Sequence, residues 1–129
     1  MMMRAWAAVL VTFGPRTEAW DNGLALLPPL GWNSWNNFQC NVSSALIRAQ
    51  ADAMASLGLV SLGYEYVVID DCWQAAERDD RGRLAPDASR FPEGMKALSE
   101  YVASKGLKLG IYSDVGRKTC QGFPRTQRP

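Results

Sequence analysis

Apolar positions along this chain of 129 residues fall into two patterns, short continuous runs and helical spacing. Apolar runs at residues 30–35, 64–69 and 107–112 predict three strands. The middle run is β-branched and aromatic, which is typical of a parallel strand buried on both faces. Between these runs, apolar residues recur every three or four positions and predict helices over residues 44–57 and 93–104. The alternating order of strands and helices predicts an α/β fold with a parallel sheet.

Each predicted helix has an expected inward face. The first has Ser43 or Ser44 as its N-cap, and its inward positions are Leu46, Ala49 or Gln50, Ala53, Met54 and Leu57. The second ends at Gly106, and its inward positions are Met95, Leu98, Tyr101 and Val102. A polar loop over residues 72–92 precedes the second helix, and residues 79–83 within it predict a tight turn.

Polar and aromatic residues follow all three predicted strands. Active sites of (β/α)₈ barrels are built on that face, and a doubly wound sheet has a similar site at its switch point. No glycine-rich phosphate loop follows the first strand, which disfavours the nucleotide-binding version. A complete barrel needs about 250 residues. We therefore expect about three βα units from the N-terminal portion of a TIM barrel, which is incomplete in this sequence.

Charge and composition narrow the possible partners. Fourteen Lys and Arg residues against thirteen Asp and Glu residues give a net charge of +1, so we expect no nucleic-acid partner. The chain contains no histidine, which excludes His-based triads and His-ligated zinc within these residues. Any acid–base chemistry must use carboxylates, Lys, Tyr or Cys.

The first nineteen residues resemble a secretory signal peptide. Arg4 precedes a short apolar stretch over residues 5–14, and Thr17 and Ala19 stand at positions suited to cleavage. The alternative is a buried N-terminal strand. The apolar stretch is too short to span a bilayer, so we expect no membrane partner. Asn41 begins an Asn-Val-Ser glycosylation acceptor, which agrees with export.

Asp70 and Asp71 directly follow the second predicted strand. Two carboxylates at a strand end could bind the hydroxyls of a sugar, hold Mg²⁺ for phosphoryl transfer, or cap a turn and pair with an Arg. Aromatic residues near the strand ends favour the sugar, because a ring face suits the C–H face of a pyranose. These residues are Trp32, Trp35, Trp73 and Tyr112, and core packing is the alternative for each Trp.

The three cysteines are Cys40, Cys72 and Cys120. Cys40 and Cys72 follow the first and second predicted strands, and neighbouring strands would bring them to the same side of the sheet. We expect a disulfide between them in an exported protein, the alternative being two buried thiols. Cys120, after the third strand, is then left without a partner.

Several long motifs resemble glycoside hydrolase family 27, which contains α-galactosidases and α-N-acetylgalactosaminidases. They are residues 21–24 (DNGL), 28–36 (PPLGWNSWN), 63–73 (GYEYVVIDDCW), 90–92 (RFP), 104–116 (SKGLKLGIYSDVG) and 118–120 (KTC). The resemblance implies that residues 20–129 are the N-terminal part of the catalytic barrel. It ends near Pro124.

The resemblance also implies roles for particular residues. Asp70 and Asp71 match the pair that binds the galactose 4- and 6-hydroxyls, and Trp35 and Tyr112 match aromatic residues that line the pocket. Cys40 and Cys72 match a family disulfide, while Cys120 matches a cysteine whose partner lies downstream. The family requires no metal or organic cofactor.

The resemblance places the catalytic residues outside this sequence. The nucleophile and the acid/base, both Asp, follow the fourth and sixth strands of the family barrel. We therefore expect the whole protein to be a retaining hydrolase of terminal α-galactosides, and this chain alone to be inactive. A truncated sugar-binding protein or an α-N-acetylgalactosaminidase fragment is the alternative. Residues that fix sugar specificity and homodimer contacts also lie downstream, and lysosome, vacuole and extracellular space all suit a signal peptide.

Overall fold

A computed structural model describes Gly23 and residues 26–126, so the predicted signal peptide lies outside the described residues. Its elements follow the predicted alternation of strands and helices. In chain order they are β1 (Gly31–Asn33), α1 (Trp35–Phe38), α2 (Ser44–Ser56), a single 3₁₀ turn (Val60–Leu62), β2 (Tyr66–Ile69), α3 (Gly94–Ser104) and β3 (Lys108–Ile111).

The three strands form one parallel sheet in the order β1-β2-β3, which confirms the predicted topology. In this register Val67 lies beside Trp32 on one side and beside Leu109 on the other. Consecutive parallel strands lie next to one another because each helix returns the chain to the same edge of the sheet. The C-terminal ends of all three strands therefore meet at one edge.

The first strand is shorter than predicted, and the prediction of a strand through residue 35 is wrong. Ser34 is fully buried, and its backbone N–H still donates to the carbonyl of Val68 in β2. The Asn33 side chain then accepts from the backbone N–H of Trp35 at 2.8 Å and starts the short helix α1. A side chain that bonds the backbone two residues on favours a turn over a continued strand.

Helices α2 and α3 cover one face of the sheet and enclose the core. Val67 and Ile69 of β2 point toward them and are fully buried, as are Leu98 and Val102 of α3. The latter two agree with the predicted inward face. Tyr101 is only half-buried, and its hydroxyl donates to the carboxylate of Asp52 on α2 at 2.8 Å.

The predicted inward face of α2 is partly wrong. Ile47 and Ala51 are fully buried and Met54 nearly so, whereas Leu57 is 73% exposed and Ala49 is exposed. Ile47, Ala51 and Met54 have the i, i+4, i+7 spacing of one helix face, which lies beside the face that was predicted to point inward. Leu46 still packs against the edge of the core.

The opposite face of the sheet is open within the described residues. Tyr66 and Val68 lie on this face beside a groove of about 930 Å³ whose wall includes Leu26, Leu27 and Leu30. In a closed barrel this face would be the interior. No described helix is long and apolar enough to cross a membrane.

Candidate functional site

Asp70 stands at the C-terminal end of β2, as predicted, and is half-buried. Its Oδ2 accepts from the side-chain amide of Asn33 at 2.8 Å, and its Oδ1 accepts from the backbone N–H of Asp71 at 2.8 Å. Its own backbone N–H donates to Ser34 Oγ at 3.0 Å. The carboxylate is thus fixed between the ends of two strands, with lone pairs left for further donors.

Asp71 is almost completely buried, with 2% of its surface exposed. Its Oδ1 accepts from the backbone N–H of Cys72 at 2.8 Å, and its Oδ2 accepts from the backbone N–H of Gln121 at 3.0 Å. The second bond attaches the loop after β3 to the end of β2. Asp71 therefore organises the strand-end loops, whatever else it binds.

Tyr112 directly follows β3, and its backbone N–H donates to the carbonyl of Ile69 at 2.8 Å. Its hydroxyl oxygen lies 3.8 Å from Cys120 Sγ and 3.3 Å from Asp114 Oδ2. The Cys120 contact raises the pKa of the Tyr112 hydroxyl to about 12, and desolvation and the negative charges of Asp114 and Asp71 act in the same direction. The hydroxyl therefore remains a neutral hydrogen-bonding group at physiological pH.

The aromatic residues near the strand ends divide into core and rim. Trp73 is 4% exposed and its indole N–H donates to the carbonyl of Tyr112 at 2.8 Å, which is the core-packing alternative for this residue. Trp32 packs against the core and lies 6.1 Å from Phe38 between ring centroids. Trp35 is half-buried at the start of α1, close to the end of β1.

The predicted disulfide between Cys40 and Cys72 is confirmed, with a Cα–Cα distance of 5.2 Å. It connects the loop after α1 to the residue after Asp71. Cys72 has a left-handed φ of 76°, which is uncommon for a residue other than glycine and which the crosslink helps to hold. Cys120 is exposed and is not disulfide-bonded. The acceptor residue Asn41 is exposed.

Sequence reasoning missed an ion pair beside Tyr112. The guanidinium of Arg125 donates to the carboxylate of Asp114 and to the carbonyl of Val115. The hydroxyl of Thr126 donates to the carbonyl of Asp114 at 2.9 Å. Residues 125 and 126 therefore cross the loop that follows β3. Nothing in the local sequence marks this pairing, because its partners are eleven residues apart.

The structure thus brings Asp70, Asp71 and Tyr112 to the same strand-end face, on two adjacent strands. It adds Asn33 as a partner of Asp70, and Gln121 as a partner of Asp71. The position of Asn33 at the end of the first predicted strand could have indicated that it belongs to the strand-end site. Within the described residues no group of three or more acidic, Cys or His side chains is placed to hold a metal ion.

Parallel βα units with polar residues gathered past their strand ends are typical of (β/α)₈-barrel enzymes. A family model described as alpha galactosidase A matches residues 27–128, and the chain belongs to glycoside hydrolase family 27. It is 62% identical over 99 residues to an alpha-galactosidase of Coffea arabica, an alignment that covers 77% of this chain and 26% of the relative.

Two further relatives agree with this assignment. An alpha-N-acetylgalactosaminidase of Gallus gallus is 51% identical over 116 residues, which cover 82% of this chain and 29% of the relative. The solved structure of the Saccharomyces cerevisiae alpha-galactosidase with raffinose matches with a TM-score of 0.78 and 41% identity, covering 81% of this chain and 23% of that one. The chain therefore spans about a quarter of the length of these relatives. Its fold is part of a TIM barrel.

Proposed function

We propose that this chain supplies the galactosyl-binding strand ends of an O-glycosyl hydrolase that removes terminal α-galactosyl residues from oligosaccharides or glycoconjugates. The observation that carries this proposal is the pair Asp70 and Asp71 at the end of β2, next to Tyr112 at the end of β3. Names of the relatives support a carbohydrate as the small-molecule partner. An α-N-acetylgalactosaminidase parent is the second candidate, supported by the 51% identity to the Gallus gallus relative.

The expected binding chemistry follows from the geometry of the two carboxylates. A carboxylate accepts hydrogen bonds at about four lone-pair positions. The described contacts use two acceptor positions on Asp70 and two on Asp71, so both retain capacity for sugar hydroxyls. Because Asp70 is the more exposed of the two, we assign it the first contact with the ligand, and Trp35 and Tyr112 the apolar walls.

Asp70 and Asp71 are assigned to binding and not to bond cleavage. Retaining glycosidases need two carboxyl groups about 5 Å apart on opposite sides of the scissile bond, one as nucleophile and one as acid/base. Asp70 and Asp71 are adjacent residues after one strand, and Asp114 is paired with Arg125. The resemblance assigns the reacting groups to strands beyond the third. We therefore propose that these 129 residues alone do not hydrolyse galactosides.

A truncated, non-catalytic sugar-binding protein is the alternative from a different functional class. Asp70, Asp71 and Tyr112 would serve it equally, and only turnover separates it from the hydrolase. For either function we propose entry into the secretory pathway, with the lysosome, vacuole or extracellular space as destination. The Cys40–Cys72 disulfide and the exposed acceptor Asn41 support this route.

Calorimetric titration with galactose and with glucose tests the binding proposal, because these sugars differ only in the configuration of the 4-hydroxyl. We expect weak saturable heat with galactose, none with glucose at the same concentration, and loss of the galactose signal in Asp70→Asn. Equal heats for both sugars would contradict the proposal. Release of nitrophenol from an aryl α-galactoside by the purified chain would contradict the assignment of these residues to binding alone.

A further inference from the structure

A second pocket lies on the strand-end face, between the loop that follows β2 and the loop that follows β3. Its volume is about 340 Å³, and Ala76, Glu77 and Arg78 of the first loop and Arg117, Lys118 and Pro124 of the second line it. The galactosyl site proposed above does not include these side chains. The pocket combines short apolar walls with adjacent cationic residues.

Arg117 and Lys118 are exposed, and neither forms a salt bridge within residues 26–126. Most other cations in that part of the chain do form one, as Lys105 does with Asp52 at 2.6 Å and Lys108 does with Glu65 at 2.7 Å. Two adjacent cations without a carboxylate partner at a concave surface create a positive potential that attracts anions.

The loop that carries the two cations is held in a defined turn. Thr119 N–H donates to the carbonyl of Phe123 at 2.9 Å, Gly122 N–H donates back to Thr119 at 3.0 Å, and Lys118 forms an antiparallel bridge with Pro124. On the opposite wall, Arg78 donates to the carbonyl oxygens of Gly82 and Arg125. Hydrogen bonds therefore hold the backbone of the loop that carries the cations and the side chain of Arg78 on the opposite wall.

The same turn also contacts the galactosyl site. The backbone N–H of Gln121 donates to Asp71 Oδ2 at 3.0 Å, so one short loop carries a cation pair on one side and a contact to the buried carboxylate on the other. The cation pair and the contact to Asp71 are therefore only three residues apart on one loop.

We propose that this pocket binds an anionic group, a carboxylate, sulfate or phosphate, carried by the part of the substrate that is attached to the galactosyl residue. The inference rests on the proposed function of the adjoining site and names a substrate class for it, acidic α-galactosides. Ala76 and Pro124 offer the apolar surface on which a sugar ring can lie, while Arg117 and Lys118 take the charge. Glu77 on the same wall opposes the anion and limits the affinity.

The test compares two ligands that differ at one terminal carbon, which is a carboxylate in one and a neutral hydroxymethyl group in the other. Melibionate carries an α-galactosyl group on an acidic open-chain sugar, and melibiitol carries the same group on the neutral alcohol. We expect the full chain to bind melibionate about five- to tenfold more tightly at low ionic strength, as two exposed ion pairs allow. The preference should shrink at about 0.15 M salt, where attraction between exposed charges more than about 8 Å apart is largely screened.

Matched variants assign the preference to the pocket. Arg117→Ala with Lys118→Ala should abolish it, whereas Arg81→Ala with Lys96→Ala removes the same charge elsewhere on the surface and should preserve it. Glu77→Gln should strengthen melibionate binding by about threefold, since one opposing charge is removed. Equal affinities of the unmodified chain for the two ligands, or a preference that survives in the Arg117 and Lys118 variant, would overturn the inference.

Inorganic sulfate separates failure of this inference from failure of the proposed function. Saturable sulfate binding that requires Arg117 and Lys118, together with no detectable galactose binding, would support the anion pocket and contradict the galactoside function. Galactose binding without sulfate binding or a melibionate preference would leave the proposed function intact and overturn the anion pocket.

Discussion

Removal of the Cys40–Cys72 disulfide should destabilise this chain strongly. The crosslink closes a loop that spans 32 residues, and the loop-entropy relation for that length gives about 4 kcal/mol at 25 °C. Small domains are typically stable by only about 5–15 kcal/mol, so the loss would be a large fraction of the total. The effect should reach the site, because Cys72 follows Asp71 and donates its N–H to that carboxylate.

Urea unfolding monitored by tryptophan fluorescence measures the effect, with Cys40→Ser and Cys72→Ser introduced together. Buried Trp73 lies next to the crosslink and reports its loss. The control is Cys120→Ser, which removes an exposed thiol without a disulfide and should change the free energy of unfolding by less than about 0.5 kcal/mol. A loss below about 1 kcal/mol in the double variant would refute the argument that the crosslink restrains the unfolded chain.

Three further predictions concern stability. Gln74 is fully buried, and neither of its side-chain polar atoms has a hydrogen-bond partner among the described residues. Gln74→Met should therefore raise the free energy of unfolding, measured by urea denaturation, by about 1–3 kcal/mol, and a decrease would contradict this. At Gly31 a Cβ would lie 2.6 Å from the carbonyl oxygen of Tyr66, so Gly31→Ala should lower the melting temperature by several degrees, and an unchanged temperature would exclude that clash. Hydrogen bonds from the Ser89 and Arg90 side chains lower the pKa of Asp87 well below its usual range, so the stability it provides is present above about pH 4 and lost as pH falls further. Acid titration of Asp87→Asn should show a shallower loss of stability than the unmodified chain, and identical curves would contradict this.

Much of the fold follows from local patterns. Continuous apolar runs predicted the three strands, because a strand buried between two layers is apolar on both faces. Apolar residues every three or four positions predicted the two helices, because that spacing places them on one helix face. Asp70, Asp71 and Tyr112 could be placed together from their positions in the sequence, since the C-terminal ends of consecutive parallel strands meet at one edge. The Cys40–Cys72 pairing followed from the same reasoning.

Some features could not be predicted because two local arrangements bury similar apolar surface, or because the feature depends on a contact between residues far apart in the sequence. Helix α2 contains five alanines, so two adjacent stripes are almost equally apolar and packing against β2 decides between them. The end of β1 depends on Asn33 bonding the backbone of Trp35. Arg125 pairs with Asp114 across a loop, and the orientation of Trp73 into the core depends on the carbonyl of Tyr112.

The central claim is that a galactosyl group binds at the ends of β2 and β3. Two-dimensional amide NMR of the chain during a galactose titration tests it most directly. We expect saturable shifts at the amides of Cys72 and Gln121, which both donate to Asp71, and at Tyr112, with no shift at Ala103 on the outer face of α3. Shifts confined to other parts of the chain, or none at sugar concentrations that saturate the calorimetric signal, would contradict the claim.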